Sequence, residues 1–369
     1  MDQMRFATCV QLAGLEPSTG SDVLGALTRA GYRNVVTLPS PERIDLASEA
    51  APGVVIVGVG RGADVSLDAV RGLFAARSAD VRIVAVAACG EDREHPQALR
   101  DAAVAAGASA FLALPGDLPH LLPAVAAVVE VLRAFRELHR LRSFAPAPER
   151  GAVVGPPAPG EIALVSRVTK VIERFDPELG RHSKRVAELA ARTAAAMGFS
   201  DPFCATLRIA ARVHDVGKLV VPRTILDAQR RLTPAEVGVV RSHAAMGANL
   251  LAGDDGPLLQ LAQAVAEAHH EWWDGGGYPR GAAGKDVPVA ARIVSVVDAF
   301  DAMTNDRVYR RARSRDEAAE ELAGCAGAQF DPDAVRALLR VLRQGVGQAA
   351  APARELAQAA GFKARAVYK

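Results

Sequence analysis

The run Ala211-Arg212-Val213-His214-Asp215-Val216-Gly217-Lys218 decides how this chain is read. It closes a stretch, Pro202 to Val216, that has a helical pattern and no β-rich alternation. Adjacent side chains on a helix point about 100° apart, so an imidazole and a carboxylate side by side can reach one cation from two directions. The Asp215 carboxylate can also bridge to a second ion. Gly217 permits close backbone approach. Lys218, four residues after His214, shares its face if the helix continues. A cation beside a metal-bound phosphate stabilises developing negative charge. A lone histidine–aspartate pair is a weak signal, so its meaning rests on its company.

Moving outward, the chain reads as helix after helix. Leu164 to Phe175 and His182 to Met197 precede the central run. Thr233-Pro234-Ala235-Glu236 is a capping box with proline at the first helical position, and Gly253 can end that helix. Ser314-Arg315-Asp316-Glu317 is a second capping box, and Asp331-Pro332 opens a last helix. These features predict an all-α unit over residues 161–344. Its residues with metal-ligand chemistry are Glu178, His182, His214, Asp215, His243, His269, His270 and Asp298, which include five of the eight histidines in the chain. The run His269-His270-Glu271-Trp272-Trp273-Asp274-Gly275-Gly276-Gly277-Tyr278-Pro279 ends a helix in two histidines and then enters a loop rich in Gly and Pro. Two consecutive histidines can serve two metals, or one metal and a substrate.

With those segments in view, the C-terminal half resembles the HD-GYP family, a branch of the HD metal-dependent phosphohydrolases that hydrolyses cyclic di-GMP. The matching residues run in order: His182-Ser183-Lys184-Arg185-Val186, the central HDVGK run, Val221-Pro222, Ile225-Leu226, His243 with Gly247, the HHEWWDGGGYP run, Val287-Pro288, Ala291-Arg292-Ile293, Asp298-Ala299-Phe300-Asp301-Ala302-Met303-Thr304, Arg307-Val308-Tyr309-Arg310 and Phe330-Asp331-Pro332. The resemblance implies metal ligands at His182, His214, Asp215, His243, His269, His270 and Asp298. An acid at Glu178 is similar to the three-metal subgroup, where other members hold two. It further implies that Lys218 contacts the scissile phosphate, with Asp215 and Lys218 at the catalytic centre. Arg307 and Arg310 would hold ligand phosphates, and Tyr278 of the GYP triplet would line the substrate site. Gly276, Val308 and Arg310 replace a common Ser, Pro and Lys, and none of these changes removes a ligand.

The first ~120 residues have a different grammar. Strand candidates at Phe6–Leu12, Asn34–Leu38, Val54–Val59, Val81–Ala87 and Ala110–Ala113 alternate with helical stretches, of which Ser21–Ala30, Leu67–Ala76, Gln97–Ala106 and Leu118 onward are the clearest. This alternation predicts a parallel sheet in a flavodoxin-like α/β domain. In outline it resembles a bacterial receiver domain. The family's acidic residues are missing after Gln11-Leu12-Ala13-Gly14. Gly58 stands at the phosphoacceptor position, Ala87 near the hydroxyl position, and Leu114 where the lysine before Pro115 belongs. Without a carboxylate nucleophile there is nothing to phosphorylate, so residues 1–120 read as a pseudo-receiver that docks protein partners or dimerises.

Residues 121–143 read as a connecting helix. Its stripe Val125, Val128, Leu132, Phe135 and Leu138 fits either a parallel coiled coil in a homodimer or a last helix packed on its own sheet. Residues 144–160 are a Pro/Ala/Gly linker, and residues 345–369 a peripheral tail. Of 369 residues, 50% are hydrophobic and 5% aromatic, and the formal net charge is +2. That balance gives no electrostatic case for nucleic acid or an anionic membrane. The four cysteines have no paired spacing, there is no signal-peptide pattern, and the longest apolar stretch near Leu121–Val131 falls short of the ~20 residues that span a bilayer. A cytoplasmic enzyme is expected, with cyclic di-GMP as substrate, pGpG or GMP as product, and two or three divalent ions. His and carboxylate ligands do not by themselves select the metal; the resemblance favours Fe or Mn. A hydrolase of a mixed cyclic dinucleotide and a silent binding or docking module, acting through the GYP loop, are the alternatives.

Overall fold

The computed structural model describes residues 9–44, 53–59, 67–76, 81–88, 96–142, 157–253, 256–305 and 312–346. The expected Arg307 and Arg310, most of the linker and the tail beyond 346 lie outside these residues.

Strand β1 (Val10–Ala13) leads into helix α1 (Pro17–Arg29), then β2 (Val35–Leu38), β3 (Val54–Gly58), α2 (Leu67–Ala76), β4 (Arg82–Ala88), α3 (Pro96–Ala105), β5 (Ala110–Leu114) and α4 (Leu118–Arg142). All neighbouring strands are parallel, in the order β2-β1-β3-β4-β5. Val10 pairs with both Val35 and Val54, and Val84 with Ala110. This is the strand order of flavodoxin-like doubly wound sheets. β3 is buried at every position, which is why it reads as an unbroken apolar run.

The stripe on α4 is spent inside the chain as far as Phe135, and the Leu138 side chain lies outside the described residues. Val125, Val128, Leu132 and Phe135 are all buried, and α4 packs against β5 and against the first helix of the C-terminal half. Of the two readings of that stripe, this is the helix packed on its own sheet. Residues Leu118–Phe135 are long and apolar enough to cross a membrane by length and composition. The apolar length exceeds the sequence-stretch expectation because Ala and Val on both sides of Pro123 continue one helix. More than half of that window is buried in the protein, as a core helix would be.

Among the described residues of the C-terminal half the regular elements are helices: α5 (Pro159–Phe175), α6 (Pro177–Ala196), α7 (Asp201–Ala210), α8 (Arg223–Leu226), α9 (Pro234–Arg241), α10 (His243–Leu251), α11 (Pro257–Ala268), α12 (Val289–Thr304), α13 (Arg315–Gly324) and α14 (Pro332–Val346). Helix α5 starts earlier than its apolar pattern, because Pro159 fits the first turn and Glu161 Oε2 accepts the Ala158 N–H at 2.9 Å. The same buried carboxylate accepts the N–H groups of Leu258 and Leu259 at the start of α11.

The two halves share one core, which runs from Val10, Ile56 and Leu112 through α4 to Leu164, Ile172, Val216 and Leu250. A buried cation fastens the seam. Arg82 of β4 is fully buried and donates Nε–H to Leu250 O and Nη2–H to Ala252 O, each at 3.0 Å, with its guanidinium 4.5 Å from the Phe135 ring centroid. Asn249 returns the contact, donating to Val104 O and Ala108 O. Both grips fall on α10, the helix that begins with His243. Arg82→Ala should lower unfolding stability by roughly 2–4 kcal/mol, since each hydrogen bond to a buried charged group is worth about 1.5–3 kcal/mol and the carbonyls are left unpaired. Denaturant unfolding measures it; a loss under about 0.5 kcal/mol, the size of an ordinary surface change, would show that the seam does not depend on this side chain.

Candidate metal centre

Each of the clustered side chains is placed by a local feature of sequence. Asp176 caps α6 by accepting the N–H of Glu178 at 2.9 Å and of Leu179 at 3.0 Å, which sets His182 one and a half turns in. Helix α7 ends at Ala210, and two 3₁₀ turns, Ala211–Val213 and Val216–Val220, flank His214-Asp215. The single helix expected through Val216 is therefore broken. The tighter winding brings Lys218 over Asp215, its Nζ 2.5 Å from Oδ2, instead of over His214. The Thr233–Glu236 capping box is present, but its helix stops at Ser242 and not at Gly253. The Ser242 hydroxyl donates to Val239 O at 2.6 Å, a local bond that competes with helix continuation. His243 consequently stands at the start of α10. His269 caps the C-terminus of α11, and Asp298 lies within α12.

Seven of the eight candidate ligands meet. His182, His214, Asp215, His243, His269, His270 and Asp298 are all buried. Their ligand atoms form two groups, Asp215-His243-His269-His270 and His182-His214-Asp215, each with its atoms within 4.8 Å of one another. Asp215 belongs to both. Its Oδ1 lies 3.2 Å from His243 Nε2 and 3.7 Å from His269 Nε2, and its Oδ2 lies 3.3 Å from His214 Nε2 and 4.0 Å from His182 Nε2. Asp298 Oδ1 adds a contact of 3.0 Å to His182 Nε2.

The electrostatics prepare these groups to hold a cation. Burial disfavours charge on Asp215, yet Lys218 and His214 outweigh it and hold the carboxyl well below its usual range. Asp298 behaves likewise, with burial overcome by its bond from His182. Burial lowers His269, and burial with the neighbouring His269 and His243 pushes His270 well down, so both imidazoles favour the neutral form, the one that ligates a metal. His182 goes the other way: burial opposes its charge, but bonds to Asp298 and Asp301 raise it to about 9. His214 Nε2 and Asp215 Oδ1 are buried with no well-formed hydrogen bond. Leaving such atoms unpaired is costly, and a cation between the two groups removes that cost. The donor set of imidazole nitrogens and carboxylate oxygens fits divalent transition ions.

This half of the chain has relatives among known proteins. Residues 167–334 match the HD domain family model. The chain is 38% identical to a cyclic di-GMP phosphodiesterase of Thermotoga maritima over 172 residues, 47% of each protein. It is 32% identical to the cyclic di-GMP phosphodiesterase response regulator RpfG of Xanthomonas campestris over 261 residues, covering 71% of this chain and 68% of that one. The chain is an HD-GYP member of the HD domain family. It is also 34% identical to 3'3'-cGAMP-specific phosphodiesterase 2 of Vibrio cholerae, over 48% of this chain and 34% of that one. It spans under half the length of the Thermotoga and Vibrio relatives.

The GYP loop of this HD-GYP chain packs against the cluster. The Tyr278 ring stacks on His270, with centroids 4.8 Å apart and planes at 28°, and the Arg241 guanidinium sits 5.2 Å from the Tyr278 centroid. Tyr278 N–H donates to His270 O at 3.1 Å. A Cβ at Gly277 would lie 2.3 Å from Trp272 N and 2.5 Å from His270 O, so only glycine lets the loop fold back this tightly. The buried Glu271 carboxylate accepts the N–H groups of Arg280 at 2.7 Å and Ala282 at 3.1 Å, pinning the far side of the loop. Its sequence context alone gave Glu271 no role, although a carboxylate four residues before Gly275, at the head of a Gly-rich loop, is a natural acceptor for the loop backbone.

Glu178 is the candidate that the structure does not bring in. It lies on the exposed first turn of α6, with Oε2 2.7 Å from Arg181 Nη2 and Oε1 3.4 Å from Arg185 Nη2. The carboxylate beside His182 is instead Asp301, whose Oδ2 is 2.7 Å from His182 Nδ1. Asp301 and Arg185 stood inside the matching segments without an assigned part.

Proposed function

We propose that this chain hydrolyses cyclic di-GMP to pGpG, GMP or both, using two divalent ions, Fe or Mn, at the buried centre. The observation that carries the reading is Asp215: one buried carboxylate faces two separate histidine groups, as a two-ion phosphoesterase requires. When bound, the ions would supply Lewis acidity and an activated water. The chain's own residues do the rest. His182, His214 and Asp298 would hold one ion, and His243, His269 and His270 the other, with Asp215 common to both. The Lys218 ammonium, anchored on Asp215 Oδ2, is positioned to take a phosphate oxygen. Tyr278 walls off His270 and borders the substrate site. Glu178, tied to Arg181 and Arg185, supports two ions over three. Arg307 and Arg310 complete the proposal as phosphate-holding residues.

The relatives named for cyclic di-GMP and for 3'3'-cGAMP define the comparison to make. The full chain, loaded with Mn²⁺ or Fe²⁺, is incubated with each dinucleotide and its products are resolved by chromatography. Turnover of cyclic di-GMP in preference to 3'3'-cGAMP supports the proposal. The reverse preference reassigns the substrate, and binding of cyclic di-GMP without product would make the chain a receptor.

For residues 1–120 the reading is a cytoplasmic pseudo-receiver. Its strand order supports this, and so does Gly58, where a Cβ would lie 2.2 Å from Gly14 O. No aspartate fits there without moving the Gly14–Leu15 backbone that follows β1. Radiolabelled acetyl phosphate should therefore leave residues 1–120 unlabelled; incorporation of label would overturn the reading. The packed stripe on α4 means that a homodimer would have to use another face.

A further inference from the structure

Four of the five histidines of the cluster are aimed in two different ways. A ligating imidazole must carry its proton on the nitrogen that faces away from the metal, and a hydrogen bond at that nitrogen normally fixes it. His214 Nδ1 lies 2.9 Å from Ala211 O, His243 Nδ1 lies 2.6 Å from Val240 O, and His269 Nδ1 lies 3.0 Å from both Val265 O and Ala266 O. Each of these three stands at the end of a helix or turn. The last carbonyls of a helix have no partner within it, so a terminal histidine can donate Nδ1–H to the turn it has just left. Nε2 then points into the cluster.

His182 cannot use this device. It lies inside α6, where the preceding carbonyls are engaged in the helix ladder. Its Nδ1 partner comes from another helix altogether: Asp301 Oδ2 of α12, at 2.7 Å. Asp301 follows Asp298 by three residues and so shares its helix face. Its carboxylate is in turn held by a two-pronged Arg185 guanidinium, with Nε–H donating to Oδ1 at 2.7 Å and Nη2–H to Oδ2 at 2.9 Å. Arg185 lies three residues after His182 on α6, so the three side chains close a ring between α6 and α12. Asp301 is buried, whereas Arg185 is half-exposed.

We infer that Asp301 and Arg185 are positioning residues for the metal centre, with Asp301 fixing the Nδ1–H tautomer of His182 and Arg185 fixing the orientation of Asp301. This rests on the metal reading of the site proposed above. The consequence is directional. In Asp301→Asn an NH₂ group replaces one oxygen of a carboxylate that faces Arg185 Nε–H at Oδ1 and both Arg185 Nη2–H and His182 Nδ1 at Oδ2, so in either orientation of the amide the NH₂ meets an Arg185 donor. With NH₂ toward His182 the imidazole must accept at Nδ1 and carry its proton on Nε2, which blocks the lone pair that faces Asp298 and Asp215. With NH₂ toward Arg185 Nε–H the fork that orients residue 301 is lost, and a neutral amide oxygen holds Nδ1–H more weakly than a carboxylate. A change of one atom type, with volume kept, thus weakens His182 as a ligand in either orientation of the amide.

The test measures Mn²⁺ affinity and stoichiometry of the full chain by calorimetry, together with the thermal midpoint of the metal-free protein. Loss of such an outer carboxylate typically costs roughly 10–100-fold in metal affinity. Asp301→Asn should show a loss of that size at one of two sites and leave the metal-free midpoint near that of the wild type. Asp301→Glu, which keeps a carboxylate, should recover part of it. Arg185→Lys keeps charge and fold at a half-exposed position but loses the fork, and should weaken the same site by a smaller factor. Wild-type affinity in Asp301→Asn overturns the inference. If that variant does not fold, Arg185→Lys decides: wild-type affinity overturns it there. Failure of the wild-type chain to bind Mn²⁺ or Fe²⁺ at all is a different result, which removes the metal reading itself.

Discussion

Asp215→Ala should leave no measurable hydrolysis of cyclic di-GMP, a loss of roughly 10³-fold or more, equivalent to about 4 kcal/mol or more of transition-state stabilisation. The size follows from the sharing. His243 and His269 face Oδ1, while His214, His182 and Lys218 face Oδ2, so one deletion removes a donor from both ligand groups and the anchor of the lysine. No other side chain of the cluster belongs to both groups. Asp298→Ala, which removes the carboxylate beside His182 but leaves the shared Asp215 in place, should cost less. The measurement is kcat at saturating Mn²⁺ beside bound metal per chain. Full activity with full metal content would remove Asp215 from the centre. The substitution also bears on stability in the metal-free chain. The folded Asp215 carboxyl titrates well below its ordinary value, so its ion pairs stabilise the fold throughout the range above the unfolded pKa. That contribution disappears only as pH falls through the lower, folded value. The variant should therefore be less stable than the wild type at neutral pH and converge with it in strong acid.

Much of this architecture is written in short-range pattern. The five parallel strands follow from apolar runs separated by helical stretches, and the capping boxes at Thr233 and Ser314 form as their spacing predicts. The histidines could be singled out because their type is rare and their surroundings are Gly-rich or acidic. What stayed hidden depends on contacts between distant segments. Arg82 reads as a charge that should be solvated, yet it is fully buried because α10 offers it two terminal carbonyls. Glu178 and Asp301 are both acids near His182, one in sequence and the other in space. Only the packing of α12 on α6 separates them, and Arg185 touches both. The breaks at Ala210 and Ser242 were hidden for a related reason. Helix propensity continues through both points, and the tertiary demand to present His214, Asp215 and His243 to one centre overrides it.

Gly217→Ala is the second change expected to disable the centre, although it removes no functional group. A Cβ at this position would lie 1.9 Å from His243 O, 2.8 Å from His243 C and 2.7 Å from Gly247 N. All three are backbone atoms, so no rotamer change relieves the clash. Either the Val216–Val220 turn or the first turn of α10 must move. The turn carries Lys218 and follows Asp215 directly, and α10 begins with His243, so any accommodation separates members of the two ligand groups. Helix α10 is also gripped at its far end through Leu250 and Ala252 by Arg82, which limits how far it can slide. Overpacking of this kind costs roughly 1–3 kcal/mol, and a misplacement of about 1 Å at a reacting centre can cost roughly 10²-fold in rate. Gly217→Ala should therefore lower the thermal midpoint, weaken Mn²⁺ binding and reduce kcat by about 10²-fold. Gly324→Ala is the control. It adds the same methyl group at the end of α13, where nothing lies within 4 Å, and should leave all three quantities unchanged or raise the midpoint slightly. Equal behaviour of the two variants would mean that the contact between the Asp215 turn and α10 does not set the geometry of the site.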